Sequence, residues 1–200
     1  MMENFEINSN QIDKIKKISS KEKNFRIKNL EIFKASGFPN KKFEDWKFTD
    51  FKNIVQLNFD KLDSNTVLSD INKIDLIKDF EHNYILLVNG NLKNSNFDFE
   101  EKDKINLKIN DQSIDYETSK NPLICLNHAL AENGFFLEIK KNYKFKKTLV
   151  IYNFFTPDIK NKILNYKNKI KLNENSELHI MDYTINESKF INNTYEEIIL

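Results

Sequence analysis

The sequence predicts a mainly β fold with an α-helical N-terminal region. In the first third of the chain, apolar residues recur every three positions between recognisable helix caps. From Gly134 onward the spacing changes to every second residue, in short runs separated by polar turns. No helical pattern interrupts these later strands, which argues against a doubly wound α/β sheet. A sandwich, a barrel and a β-helix all remain open on this pattern.

The N-terminal region contains two predicted helices. Ser19 and Glu22 have the spacing of a capping box, so the second helix should begin there. It should end at Gly37, because glycine adopts the left-handed conformation easily and Pro39 prevents continuation. The first helix is predicted from Ile12, Ile15 and Ile18. The buried stripe of the second helix is predicted to be Ile27, Leu30 and Phe33.

Two further helices are predicted later in the chain. Asn121 can cap a helix that starts at Pro122 and stops at Asn133–Gly134, with Leu123, Leu126 and Leu130 on its apolar face. Another is predicted after a cap at Ser69 or Asp70, from the apolar series Ile71, Ile74, Ile77 and Phe80.

The remaining apolar runs have the length of strands. The run 84–88 is closed by the turn pair Asn89–Gly90, and Pro157 interrupts a later run. The predicted strands after Gly134 lie at 135–139, 149–153, 169–172, 178–180 and 195–200, with a polar turn at 173–176. We therefore expect a helical region over 1–80 and a strand-rich region over 81–200 with one inserted helix near 121–133. We also expect the sheet to be truncated at Leu200.

Composition excludes several function classes. Only three glycines occur, so neither a P-loop nor a dinucleotide-binding loop is possible, and no Gly-x-Ser-x-Gly elbow is present. Lys plus Arg total 31 against 30 Asp plus Glu, without the basic excess of a nucleic-acid binder. The single cysteine, the lack of an apolar leader and the lack of a membrane-length apolar run predict a cytoplasmic protein.

Two arrangements of polar residues are candidate sites. Cys125 and His128, with Glu132 one turn further, could form half of a metal site. A closed metal site needs about four ligands and no second cluster is visible, so we interpret them as core packing. The Lys- and aromatic-rich run 140–147 could bind single-stranded nucleic acid, but the balanced charge favours a solvated turn.

The run GFPNKKFEDWKFT at 37–49 contains the only tryptophan of the sequence, Trp46. It predicts the end of a helix, followed by a buried aromatic anchor that Trp46 and Phe48 form. It resembles the "GFP…EDWKYT" signature of the SufD branch of the SufB/SufD family. Four further stretches are similar to other motifs of the family and occur in the same order. They are Asn89–Gly90, the LN-x-AL helix at 126–130 with Gly134, the turn at 173–178 and the EEIIL run at 196–200. Phe48 replaces the usual tyrosine, and Asn173 or Glu174 stands where the family's turn often has glycine.

The resemblance implies the N-terminal half of a SufD-like scaffold subunit of the SUF iron–sulfur cluster assembly system. It implies a right-handed parallel β-helix and partnership with SufB and the ATPase SufC. It further implies no catalytic, cofactor-binding or metal-binding residue in this stretch, because the cluster-related residues of the family lie beyond Leu200. The iron–sulfur cluster is handled by the full complex.

Two other functions remain open. The first is a carbohydrate-binding or carbohydrate-cleaving β-helix or sandwich, in which carboxylates act beside surface aromatics. The candidate residues are Asp182 with Tyr183, and Glu196 with Glu197. The second is a self-contained interaction domain of natural length.

Overall fold

The structure is a computed structural model that describes residues 5–15, 18–64, 75–109, 119–186 and 188–200. The helices are α1 (Asn10–Lys14), α2 (Ser20–Ser36), α3 (Phe51–Asn58) and α4 (Pro122–Leu130). The first strands are β1 (Phe5–Glu6), β2 (Leu62–Asp63), β3 (Asn83–Val88), β4 (Asn91–Asn96) and β5 (Ile105–Ile109). The later strands are β6 (Phe135–Ile139), β7 (Leu149–Phe155), β8 (Ile163–Leu172), β9 (Ile180–Asn186) and β10 (Ile191–Ile199).

Most of the strands form two four-stranded sheets. Sheet one has the order β4-β3-β7-β9, and sheet two has the order β10-β8-β6-β5, while β1 and β2 form a small parallel pair. Within the ranges that the structure describes, only the β3–β4 and β5–β6 pairs are antiparallel. From β6 to β10, successive strands alternate between the two sheets. The fold therefore combines helices with open sheets of mostly parallel strands.

The turns between the sheets stack on one another. Asn142, after β6, donates its backbone N–H to the carbonyl of Glu174, after β8, at 2.8 Å. Asn175 donates its side-chain amide to Asn142 Oδ1 at 3.1 Å. On the other side, Asn161, after β7, donates its N–H to the carbonyl of Lys189, after β9, at 2.9 Å. Each turn is thus held by the equivalent turn of the following pair of strands.

The main core lies between the two sheets. Inward residues of β3 and β7, such as Ile85 and Ile151, belong to the same buried cluster as Leu137 and Ile139 of β6. Because side chains of a strand alternate between its faces, the predicted period of two in β6 places Phe135, Leu137 and Ile139 in this core. This part of the strand prediction is confirmed.

The helices form a second buried cluster. Leu30 and Phe33 of α2 belong to it together with Cys125 and Leu126 of α4. Arg26 joins the two helices, because its guanidinium donates to the backbone carbonyls of Ala129 and Ala131 at 3.2 and 2.9 Å. The predicted inserted helix is therefore packed against the N-terminal helices.

Helix caps were predicted well. Ser19 Oγ accepts the N–H of Glu22 at 3.1 Å, and Gly37 has a φ of 69° at the end of α2. The reciprocal half of the capping box does not form, because the Glu22 carboxylate binds Arg26 instead. Asn121 caps α4, but α4 ends at Leu130, before the predicted stop at Asn133–Gly134.

Other boundaries differ from the prediction. The first helix ends at Lys14, and Ile15 is already extended. In the helix predicted near Ile71 to Phe80, residues 65–74 lie outside the described residues, and 75–80 are not helical. Helix α3 and strands β1, β2, β4 and β5 were missed. The strand predicted at 178–180 begins only at Ile180 and continues to Asn186, and the strand predicted at 195–200 begins earlier, at Ile191. Strand β8 begins at Ile163, well before the predicted 169, because polar side chains such as Asn165 and Lys167 conceal its alternation.

Candidate functional site: two sheet edges and the cavity between them

Strands β9 and β10 are edge strands of the two sheets. Among the strands of the described residues, β9 pairs only with β7, and β10 pairs only with β8. Most residues of β9 are exposed. An edge strand presents backbone N–H and C=O groups that a further strand can bind. Because β9 and β10 belong to facing sheets that share a core, the two edges lie at the same end of that core.

A cavity of about 190 Å³ lies between these edges. Its polar lining includes Asp182 of β9, Glu196 of β10 and Asn168 of β8. Phe135, Ile151 and Ile170 contribute to its apolar lining. In strand register, Asp182 is the partner of Ile151 and Glu196 is the partner of Asn168. The two carboxyl groups therefore extend from opposite sheets into one small space.

Burial disfavours the ionised form of both acids. It raises the pKa of Asp182, and a hydrogen bond with Asn153 opposes the shift. Burial also raises the pKa of Glu196, the charge of Asp182 raises it further, and a hydrogen bond from Asn168 opposes both effects. The charge of Asp182 thus disfavours the ionised form of Glu196.

The structure treats the two carboxyl pairings expected from the sequence differently. Tyr183 packs against Tyr152 of sheet one, with ring centroids 5.6 Å apart, on the face opposite to Asp182. Glu197 lies 3.0 Å from the ammonium group of Lys169. Asp182 and Tyr183 therefore lie on opposite faces of β9, as neighbours along a strand do. Glu196 and Glu197 both line the cavity, together with Asp182.

Asn168 is the residue of this site that sequence reasoning missed. Its side chain is 3% exposed, and its amide donates to Glu196 Oε1 at 3.4 Å. Its carbonyl oxygen Oδ1 is buried without a hydrogen-bond partner in the described structure. In the sequence, Asn168 lies two residues from both Tyr166 and Ile170, which are buried in the core. This spacing is the only sequence feature that indicates an inward side chain at Asn168.

The anchor predicted at Trp46 and Phe48 is partly wrong. The ring of Phe48 is 87% exposed, and Trp46 is only half-buried, against Phe51 at 5.3 Å between centroids. The buried anchor is Phe38, which is 1% exposed and packs edge-on against Phe33 at 5.3 Å. The motif reaches the helices through its first aromatic residue, so its last aromatic ring remains at the surface.

Cys125 and His128 lie in different surroundings. Cys125 is fully buried in the helical cluster, where burial raises the pKa of its thiol. His128 lies near the rings of Phe25 and Tyr195, at 5.8 and 5.2 Å between centroids. Among the described residues, no group of three His, Cys, Asp or Glu side chains could hold a metal ion.

The basic run 140–147 contributes to the core and to ion pairs. Tyr143 is buried and donates its hydroxyl to Glu100 at 2.7 Å, while Phe145 packs against the main core. Lys144 pairs with Glu177 at 2.9 Å, and Lys147 pairs with Glu81 at the same distance. The aromatic rings therefore do not form a stacking platform on the surface.

A second cavity lies at the other end of the sheets, between the edge strands β4 and β5. It measures about 490 Å³, and Tyr84, Phe97, Asn94, Asn96 and Asp98 are among its lining residues. Asn96 donates its side-chain amide to Asp98 Oδ2 at 2.9 Å. The groove offers aromatic faces next to amide and carboxylate groups.

No helix among the described residues combines the length and apolar character needed to cross a membrane. In comparisons with known proteins, no protein-family model matches the chain, and no curated protein matches it.

Proposed function

We propose that the chain is a SufD-like scaffold subunit of the SUF iron–sulfur cluster assembly system, acting with SufB and the ATPase SufC and without catalytic activity in this stretch. The observation that carries the proposal is the alternation of the parallel strands β6 to β10 between two sheets, with stacked turns at the corners. A chain that winds as a parallel β-helix follows such a path. The right-handed β-helix implied by the resemblance is part of the proposal.

The positions of the resembling motifs support it. Asn89 and Gly90 form the tight turn between β3 and β4, where both residues have positive φ. Gly134 immediately precedes β6, at a point where the backbone of β8 approaches closely. The polar turn at 173–176 is one of the stacked corners, and the EEIIL run lies at the end of β10. These motifs thus coincide with a tight turn, a close approach of two strands, a stacked corner and the end of a strand.

We infer that the scaffold binds its partner through the edges of β9 and β10. Backbone groups at an edge can be extended by a strand from another chain. Leu149 of β7 is the register partner of Ile180, and it donates its N–H to the carbonyl of His179. In a parallel pair, the backbone groups of alternate residues face the neighbouring strand, so the odd-numbered residues of β9 face β7. The amide of Thr184 therefore points away from β7. Thr184 therefore offers a backbone donor to an added strand.

Co-expression with the SufB-type and SufC-type proteins of the same genome tests the proposal. We expect the three proteins to elute together from a size-exclusion column. Thr184→Pro should weaken this association because it removes the free amide, whereas Thr184→Val keeps the amide and serves as the control. If the wild-type chain elutes alone, the scaffold proposal is wrong. If Thr184→Pro still assembles fully, the assignment of the β9 edge is wrong.

A carbohydrate-binding protein is the second candidate, and the 490 Å³ groove near Tyr84 and Phe97 favours it. Its volume lies within the roughly 300–1,000 Å³ of typical ligand sites. A glycan array would test this function, with Asp98→Asn as the variant and Glu31→Gln, at an exposed position of α2, as the control. Saturable glycan binding that is lost only in Asp98→Asn would favour this candidate over the scaffold.

A further inference from the structure

Asn165 and Asn193 form a side-chain ladder across the strands β8 and β10. They are partners in the parallel register of these strands, and Asn193 donates its side-chain amide to Asn165 Oδ1 at 2.7 Å. Amide side chains that stack in register on neighbouring parallel strands bond to one another in this way. Because β10 is the edge of sheet two among the described strands, the ladder reaches that edge at Asn193.

The side chain of Asn193 offers only an acceptor to an added strand. Its amide nitrogen carries two hydrogens, and both are used, because the nitrogen also donates to the backbone carbonyl of Leu123 at 2.9 Å. A backbone carbonyl can only accept, so the nitrogen of Asn193 must lie on that side. Among the described residues, none donates a hydrogen bond to Asn193 Oδ1. A strand beside β10 can therefore complete the ladder only by supplying a donor.

The backbone of β10 has the right phase to hold such a strand. Ile191 donates its N–H to the carbonyl of Lys162 at 2.9 Å, so the odd-numbered residues of β10 bond to β8. The even-numbered residues, such as Thr194, direct their N–H and C=O groups to the open edge. A parallel strand bonded to Thr194 places one residue opposite Asn193, with its side chain on the same face of the sheet.

The side chains of β10 limit which strand fits. A second copy of β10 in parallel register would bring an Asn193 that again has no hydrogen to donate, and it would set Glu196 and Glu197 against like charges. Strand β8 instead places Asn168 opposite Glu196 and Lys169 opposite Glu197. We propose that β10 binds a parallel strand of a partner protein with an asparagine opposite Asn193 and neutral or basic residues opposite the two glutamates. This inference rests on the proposed role of the sheet edges in binding a partner.

A synthetic peptide with the sequence of β8, ILNYKNKIKL, has this pattern and serves as the probe. In the register that β8 itself adopts, the third residue of the peptide lies opposite Asn193. Titration of the isotope-labelled full chain with the peptide, followed by NMR, should give saturable shifts that are largest for the amides of residues 192–198. Leucine in place of the asparagine at the third position should weaken binding about three- to tenfold, because the donor is lost. Phenylalanine in place of the tyrosine at the fourth position is the control and should bind as the original peptide does.

Two variants of the chain locate the binding edge. Thr194→Pro removes an outward amide of β10 and should abolish peptide binding, whereas Thr184→Pro, on the β9 edge, should leave it unchanged. The reverse result would reject β10 as the site. If Thr194→Pro does not fold, the peptide variants still decide the question, because they leave the chain intact.

Two further results would overturn the inference. One is the absence of saturable binding of the original peptide, and the other is equal affinity of the peptide that carries leucine at the third position. Either result would count against the asparagine ladder even if the chain co-elutes with the SufB-type protein. Binding with the expected loss for leucine would support the ladder even if the chain elutes alone. The two proposals can therefore fail separately.

Discussion

Gly134 lies so close to the backbone of Lys167 that a Cβ atom added at Gly134 would overlap the carbonyl oxygen of Lys167. Gly134 also has a φ of 109°, which residues with a side chain rarely adopt. We therefore expect Gly134→Ala to lower the free energy of unfolding by more than about 1 kcal/mol. Urea denaturation followed by circular dichroism would measure the change. Equal midpoints for variant and wild type would contradict the close approach of β6 and β8.

The ion pair of Arg26 and Glu22 is buried, with side-chain exposures of 5% and 6%. Arg26→Met should cost about 3–5 kcal/mol, because it leaves the Glu22 carboxylate without its cation. The double variant Arg26→Met/Glu22→Leu should regain part of that loss, because the carbonyls of Ala129 and Ala131 still lack the guanidinium. The exposed pair of Lys23 and Asp13 is the control, and Lys23→Met should change stability by less than about 1 kcal/mol. A double variant as unstable as Arg26→Met would refute this explanation.

Glu100 accepts hydrogen bonds from Tyr143, from Asn83 and from two backbone amides. Burial opposes its ionisation, but these bonds outweigh burial and lower its pKa below the usual 4.5. Glu100→Gln should therefore cost about 1–3 kcal/mol near neutral pH. Because the folded pKa is depressed, the wild type should lose this advantage as the pH falls below 4.5 through the folded pKa. Chemical denaturation at a series of pH values would measure it, and a pH-independent difference would contradict the linkage.

Tyr143 should limit stability at the alkaline end. Burial, aided by the nearby Glu100 carboxylate, raises its pKa from 10.0 to about 12. The unfolded chain therefore loses the phenolic proton first, and the wild type should lose stability as the pH rises from 10 towards 12. Tyr143→Phe has no such proton, so the difference in unfolding free energy between the two proteins should change across that range. Parallel pH profiles would show that Tyr143 titrates normally.

Phe38 and Phe48 provide a matched pair within one motif. Phe38 is 1% exposed, so Phe38→Ala should lower the free energy of unfolding by about 3–5 kcal/mol. Phe48 is 87% exposed, so Phe48→Ala should change it by less than about 0.5 kcal/mol. Thermal and urea unfolding of the two variants would test this directly. A large loss in Phe48→Ala would mean that the ring is buried after all.

Local signals predicted the elements that depend on local interactions. The cap at Ser19 and the stop at Gly37 define α2 because they satisfy backbone groups within a few residues. Strand β6 was predicted from alternation, since one of its faces is buried and the other is not. The short helix α3 was missed because Asp50 caps it without a capping box and only Val55 on it is buried.

The candidate site could not be predicted in the same way. Asp182 and Glu196 meet because β9 and β10 belong to different sheets, and the sequence does not specify which sheet a strand joins. The burial of Phe38 rather than Trp46 likewise depends on the position of α2. Side chains two residues apart in a strand point to the same face, which limits the residues that can line the cavity. Asp182 lies two residues from Ile180, and Glu196 lies two residues from Ile198, and all four line it.

Four asparagines, Asn89, Asn142, Asn161 and Asn175, adopt the left-handed conformation in the turns of this chain. Asparagine tolerates that conformation better than other residues with a side chain. A chain with only three glycines can therefore keep sharp corners. Asparagine, which is abundant in this sequence, thus occupies turn positions that glycine commonly fills.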